Sequence, residues 1–157
     1  MDTLLAQLLE GWGTKVEPLT VCSLSEDCAT GARAERFLKA IALQLPPGRG
    51  IDKRVWTLNE LRMPRLRAIA AEEGAASECI IVSLRNAQSL PPHASAWLSA
   101  MLQKRRRVDG ALVALLDSES AESAGLKSLL EQAALEARMR FLVHMAALEE
   151  ENTPSDR

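Results

Sequence analysis

The sequence predicts an α/β protein built on one doubly wound, three-layer sheet of five parallel strands. Two segments, 79–84 and 111–116, are apolar throughout, which is typical of strands covered on both faces. An amphipathic segment at 94–103 lies between them, so strand, helix and strand follow in the order from which parallel sheets are built. The alternation continues along the chain. The expected strand order is 2-1-3-4-5, with the switch point between strands one and three.

The individual elements follow from periodicity and from turn residues. Helices are expected where apolar residues recur at steps of three and four, and strands where short apolar runs are bounded by turn residues. In chain order these are a helix within 1–13, a strand at 16–24, a helix at 30–45, a strand at 54–58, a helix from 64 to about 74, a strand at 79–84, a helix at 94–103, a strand at 111–116, a helix at 125–138, a strand at 141–145 and a short last helix at 146–151. Pro18 suits a strand at an early or edge position, and Pro64 stands at a favoured first-turn position.

The apolar stripe of each helix predicts which residues face the sheet. The expected inward residues are Ala34, Phe37, Leu38, Ile41 and Leu45 in the second helix, Leu66, Ile69 and Ala70 in the third, Ala94, Trp97, Leu98, Met101 and Leu102 in the fourth, and Leu126, Leu129, Leu130 and Ala133 in the fifth. The leucines of 1–13 predict a helix that packs on the body or on another subunit. Trp97 falls on an apolar stripe, which favours a place in the core.

Size and composition predict a single domain over 1–148, with 1–13 as a helical extension and 149–157 as a polar tail. The chain has 157 residues, of which 47% are hydrophobic and 25% are charged, as in an ordinary soluble globule. Its formal charge of −2 gives no pull toward nucleic acid or an anionic membrane. The three cysteines show no CxxC spacing, so neither a disulfide framework nor a zinc site is suggested, and a cytoplasmic location is expected.

A ligand site in such a sheet lies beyond the carboxyl ends of the strands. The candidate residues on the three loops there are Ser25, Asp27, Thr30, Arg85, Asn86, Asp117 and Ser118. Free amides at the start of the helix after strand one could hold a phosphate, but Glu26 and Asp27 would repel an anion. The stronger interpretation is that Thr30 or Asp27 caps that helix. His93 could join two carboxylates in a metal site, although no spacing enforces it, and no metal is predicted.

The densest charge in the chain is the cationic run at 104–107. It could contact phosphates. A helix end also favours cations because of the helix dipole, and the negative total charge favours that simpler explanation.

The segment 90–98, Leu-Pro-Pro-His-Ala-Ser-Ala-Trp-Leu, resembles the loop and helix of flavodoxin-like NAD(P)H-dependent FMN reductases. The resemblance implies a flavodoxin-like fold and, as an alternative, an FMN site. The family's Ser/Thr-rich phosphate loop with Gly and Asn is replaced here by the sequence Ser-Glu-Asp-Cys-Ala-Thr-Gly at 25–31. We therefore carry over the fold and not the cofactor.

The chain also resembles response-regulator receiver domains, because Glu26 and Asp27 are similar to their acidic metal-binding pair. A receiver needs a phosphate-accepting Asp at the end of strand three, where this chain has Ser83, and a Lys after strand five, where it has the sequence Val-His-Met at 143–145. Without the carboxylate nucleophile an acyl-phosphate cannot form. The resemblance therefore implies a degenerate receiver-like binding module.

These observations predict a non-catalytic flavodoxin-like or pseudo-receiver-like domain that acts through a protein partner or as a homo-oligomer. No nucleic-acid or membrane partner is expected. The alternatives left open are a divergent flavin- or nucleotide-binding oxidoreductase and, less favoured, a hydrolase or transferase that uses the carboxylates of the carboxyl edge.

Overall fold

The computed structural model describes residues 2–10, 17–85, 87, 89–107, 109–118 and 120–145, and these form one five-stranded sheet with helices around it. In chain order the elements are α1 (Asp2–Leu9), β1 (Leu19–Ser25), α2 (Cys28–Gln44), β2 (Ile51–Thr57), a 3-10 turn (Glu60–Arg62), α3 (Pro64–Ala76), β3 (Cys79–Ser83), α4 (Pro92–Lys104), β4 (Ala111–Leu116), α5 (Ala121–Glu136) and β5 (Arg140–Met145). The short helix predicted at 146–151 and the tail at 149–157 lie outside the described residues.

The sheet has the order β2-β1-β3-β4-β5, and every neighbouring pair is parallel. The predicted fold class and strand order are therefore confirmed. Strands β3 and β4 are buried along their whole length, as their continuous apolar sequence predicts. Strand β2 lies at one edge and is largely exposed.

Two apolar cores lie on the two faces of the sheet. On one face α1 and α2 pack against β1, β3 and β4, with Leu8, Phe37 and Ile41 fully buried there. On the other face α3, α4 and α5 pack against the same strands, with Trp97 and Met101 at the centre. Helices on both faces give the sheet its three layers.

Helix α1 packs on the body of the chain, which decides between the two possibilities that its sequence left open. Leu4, Leu5 and Leu8 are buried against the sheet. The Arg140 guanidinium at the start of β5 donates to the carbonyl oxygens of Gln7 and Leu8, the second at 2.6 Å. These carbonyls lie at the end of α1, where no intrahelical donor remains, so Arg140 caps the helix.

The starts of two strands differ from the prediction by three residues each. Strand β1 begins at Leu19, after Pro18, and it lies inside the sheet between β2 and β3, as the predicted order has it. Part of the predicted strand, residue 16, lies outside the described residues. Strand β2 begins at Ile51 instead of residue 54, because its pairing with β1 already starts where the Leu19 N–H donates to the Gly50 carbonyl oxygen.

The buried face of α3 differs from the face that the sequence predicted. Ile69 is 43% exposed, and the buried residues of the helix are Ala70, Ala71, Gly74 and Ala75. Small side chains allow α3 to approach α4 closely. A Cβ added at Gly74 would lie 2.8 Å from the Met101 Sδ, so this position has no room for a larger residue.

Helix α5 begins four residues before its predicted start at residue 125. Ser120 and Ser123 form a capping box in which each side chain bonds the other residue's backbone N–H. Within the part of the chain that the structure describes, no helix is long and apolar enough to cross a membrane.

We expect Trp97→Ala to lower the free energy of unfolding by about 3–5 kcal/mol, because it empties the centre of one core. Trp97 is 2% exposed, and its Nε1 has no hydrogen-bond partner among the described residues. Trp97→Phe should therefore cost under about 1.5 kcal/mol, since it keeps most of the ring volume and removes a desolvated N–H. Urea denaturation followed by circular dichroism measures both, with the exposed Leu135→Ala as control. Equal losses for the two Trp97 variants would contradict this account.

Candidate functional site

The carboxyl edge of the sheet is where the sequence placed its candidate residues, and four of them lie there near one side chain that it did not single out. The loops after β1, β3 and β4 bring Asp27, Arg85 and Asp117 to this edge, and Thr30 lies in the first turn of α2. The central side chain is Arg33, on the second turn of α2. We call this group the carboxyl-edge network.

The loop after β1 forms a helix cap. Asp27 is the N-cap of α2, and its Oδ1 accepts a hydrogen bond of 3.0 Å from the Thr30 N–H. In return the Thr30 Oγ1 accepts from the Asp27 N–H at 2.8 Å and from the Glu26 N–H at 2.9 Å. Both predicted capping residues take part in one capping box. The Thr30 amide that a bound phosphate would use is therefore already bonded to a carboxylate.

Arg85 closes the network at the surface. Its Nε lies 2.5 Å from the Asp27 Oδ2, and its backbone N–H donates to the Glu26 Oε1 at 3.0 Å. Burial raises the pKa of Asp27, but the hydrogen bonds from Thr30 and the Arg85 guanidinium together outweigh it, so the pKa of this carboxyl lies below its ordinary value. Asp27 is thus ionised and paired at neutral pH.

Arg33 forms the buried centre of the network. Its side chain is 6% exposed, and its Nη2 donates to the carbonyl oxygens of Leu84 at 2.8 Å and Leu115 at 2.7 Å. Its Nη1 donates to the Asp117 Oδ1 at 2.9 Å. One guanidinium therefore holds the ends of β3 and β4 and the loop that follows β4. A buried cation of this kind is stable only with such a set of acceptors.

Ser83 links Arg33 back to α2. The Ser83 Oγ accepts from the Arg33 Nε at 3.0 Å and donates to the Thr30 carbonyl oxygen at 2.8 Å. Ser83 is fully buried and stands at the position where a receiver would carry its phosphoacceptor. Burial, together with the positive charge of Arg33, lowers the pKa of His144 on the neighbouring end of β5.

Three further residues were predicted at this edge: Ser25, Ser118 and Asn86. Ser25 is buried at the end of β1, and its carbonyl oxygen accepts from the Leu58 N–H. Ser118 is exposed after β4, and Asn86 lies outside the described residues. His93 lies in the first turn of α4 rather than in a loop. In the described ranges no group of three His, Cys, Asp or Glu side chains could hold a metal ion.

The cysteines do not contribute to this edge as a group. Cys22 and Cys79 are buried, and burial raises the pKa of both thiols to about 12, so they are neutral. Cys28 is exposed at the first residue of α2.

Arg33 could have been found from the sequence by one signal. It lies four residues before Phe37 and next to Ala34, on the stripe that was predicted to face the sheet. A charged residue on such a stripe indicates a buried, paired cation. Its partners at 83, 84, 115 and 117 are distant in sequence, so only the structure identifies them.

We expect Arg33→Met to lower the free energy of unfolding by about 3–5 kcal/mol, because it leaves buried acceptors and Asp117 without their donor. Asp117→Asn should cost less, since the side chain of Asp117 is 24% exposed and an amide oxygen still accepts from Arg33. Urea denaturation measures both changes. Lys39→Met, which removes one exposed charge from the same helix, is the matched control. An Arg33→Met variant as stable as this control would show that the network does not hold the fold.

No protein-family model matches this sequence, and no curated protein matches it significantly.

Proposed function

We propose that this chain is a non-catalytic flavodoxin-like domain that works by binding a protein chain, most directly a second copy of itself. The observation that carries the proposal is the carboxyl-edge network. Arg33 and Ser83 fill the space beside the switch point with buried hydrogen bonds, and the ion pair between Asp27 and Arg85 covers the start of α2. In a sheet of this order that crevice is where a ligand would sit.

The charges of the network support a structural role over a catalytic one. Asp117 is paired with Arg33 at 2.9 Å and Asp27 with Arg85 at 2.5 Å, so each carboxylate is held by a cation. A general acid or base needs a pKa near the working pH, whereas hydrogen bonds and the Arg85 guanidinium hold the pKa of Asp27 below its ordinary value. The same pairings also disfavour the alternative of a flavin site, because Glu26 and Asp27 surround the amides that a flavin phosphate would need.

Strand β2 offers the surface for a second copy. The Gly50 carbonyl oxygen and the Leu58 N–H both bond to β1. Successive residues of a strand direct their backbone groups to opposite sides, so the even-numbered residues from 50 to 58 direct theirs toward β1. The intervening residues Ile51, Lys53 and Val55 direct theirs away from the sheet. The next residue in this series, Thr57, already donates its N–H to the Glu60 Oε1 at 2.9 Å. Among the described residues, the outward backbone groups of β2 that have no partner therefore belong to three residues centred on Lys53.

A two-fold axis at Lys53 makes this edge self-complementary. Ile51 then lies opposite Val55 of the second copy, and both pairs of backbone groups form hydrogen bonds. Asp52 lies opposite Arg54 of the second copy, at a position where side chains approach most closely. Lys53 meets its own copy, but its Nζ is paired with the Glu35 carboxylate at 2.8 and 2.9 Å, which offsets the repulsion. The result is a continuous sheet across two subunits.

Excess FMN should not raise the melting temperature of the purified chain, and flavin fluorescence should not change on mixing. A ligand at about 100 times its dissociation constant would add about 2.7 kcal/mol to stability, which is easily measured. A flavodoxin mixed with FMN under the same conditions is the positive control. Quenched flavin fluorescence together with a higher melting temperature would favour the oxidoreductase alternative.

Arg54→Asp should weaken self-association by about tenfold or more, because it places two acidic side chains opposite each other twice in the dimer. The double substitution Asp52→Arg with Arg54→Asp should restore association, since it exchanges the two signs. Sedimentation velocity over a range of protein concentrations measures all three proteins. Wild-type protein that stays monomeric would contradict self-association and leave a different protein as the partner. Self-association that neither the single nor the double substitution changes would place the interface elsewhere.

A further inference from the structure

An open surface groove with a volume of about 550 Å³ lies between the ends of α3 and α4, at the amino edge of the sheet. Helix α3 leads into β3 and α4 leads into β4, so this groove lies at the end of the sheet opposite to the carboxyl-edge network. Its volume is in the range of pockets that hold small ligands. We call it the amino-edge pocket.

Cationic side chains line one side of this pocket, and they come from the run at 104–107 that the sequence singled out. Lys104, Arg106 and Arg107 face it, whereas Arg105 is not among the residues that line it. Arg105 is instead a structural residue. Its Nη1 donates to the carbonyl oxygen of Ser77 at 2.9 Å and to those of Gly74 and Ala75 at 3.3 Å, so it caps the end of α3.

The cations that line the pocket differ in whether an acidic side chain lies close to them. Arg107 has acidic neighbours, since its Nε lies 3.1 Å from the Asp109 Oδ1 and its Nη2 lies 3.9 Å from the Glu78 Oε2. Lys104 and Arg106 have no hydrogen-bond or ion-pair partner among the described residues, and Arg106 lies beyond the end of α4. Arg105 caps α3 and not α4, and only Lys104 lies in the last turn of α4, so the dipole of α4 accounts for Lys104 but not for Arg106.

The opposite side of the pocket is chemically different. Ala75 and Ala76 present only methyl groups there, and Glu72 supplies one carboxylate. A ligand that suits all sides has an anionic group for the cations, a flat or apolar part for the alanines and a hydroxyl or amine that donates to Glu72. We propose that the amino-edge pocket binds a phosphorylated small molecule of nucleotide size, with Lys104 and Arg106 on its phosphate. Guanidinium and ammonium groups form strong charge-assisted bonds to phosphate oxygens.

This inference goes beyond the proposed function and does not depend on it. No residue of the pocket belongs to the carboxyl-edge network or to the outward edge of β2. A ligand here would occupy a site separate from the self-association surface.

The test uses ADP, inorganic phosphate and adenosine as probes of the full chain, with binding measured by calorimetry and by melting temperature. ADP should bind, phosphate should bind more weakly and adenosine most weakly, because the phosphate supplies the main contacts. At ten times its dissociation constant, ADP should raise the melting temperature by about 3–6 °C. The double substitution Lys104→Gln with Arg106→Gln should weaken ADP binding by about tenfold or more.

Two matched controls separate a built pocket from general surface charge. Arg62→Gln with Arg65→Gln removes two exposed cations at the other end of α3 and should leave ADP binding unchanged. Ala76→Leu adds bulk to one wall of the pocket without changing any charge and should weaken ADP binding, whereas Ala68→Leu adds the same bulk to an exposed position of α3 outside the pocket and should not. Absence of ADP binding by the wild-type chain would overturn the proposal. So would an equal effect of the two leucine variants, or an equal loss in the two charge variants.

Discussion

The buried guanidinium of Arg33 is the interaction on which the carboxyl half of the molecule depends. It reaches from α2 to two strand ends and to the loop beyond β4, and Ser83 returns the connection to α2. An arginine stays charged in a protein, so its burial is tolerated only while these acceptors remain in place. The position of α2, the ends of β3 and β4 and the capped loop after β1 therefore constrain one another. Space that could have served a ligand is used to hold the fold.

Arginine side chains also hold together the loops and helix ends at the amino edge of the sheet. Arg49 is buried, and it donates to the Glu17 carbonyl oxygen at 2.7 Å and to the Glu78 carboxylate at 3.2 Å. Arg105 donates to a carbonyl oxygen at the end of α3, and Arg107 lies close to the carboxylate of Glu78, which Arg49 also contacts. The apolar strands between the two edges need no such support, because their backbone groups are paired along the ladders. The two edges differ in how their charges are paired: Asp27 and Asp117 each pair with an arginine at the carboxyl edge, while Lys104 and Arg106 at the amino edge have no ion-pair partner among the described residues.

The hydrophobic pattern alone predicted the elements that bury only apolar side chains. Strand β4 has its predicted bounds, and α4 buries Ala94, Trp97, Leu98 and Met101 as its stripe indicates. The pattern failed where burial depends on distant partners or on size. Arg33 is buried because acceptors about 50 to 84 residues away surround it, and α3 buries alanines instead of Ile69 because Gly74 lets α4 come close. The start of β2 was missed because an exposed edge strand carries charged residues, here at 52–54.

The capping of α1 by Arg140 has a consequence for how the chain assembles. The contact joins residues 132 positions apart, so the first helix completes its packing against the last strand. In folding, the end of α1 gains this cap only once β5 has paired with β4 beside it. Contacts between residues so far apart in sequence cost more loop-closure entropy, so this one slows folding more than the local contacts of the helices do. The same arrangement ties both ends of the described chain to one face of the sheet, where fraying of either end would loosen the other.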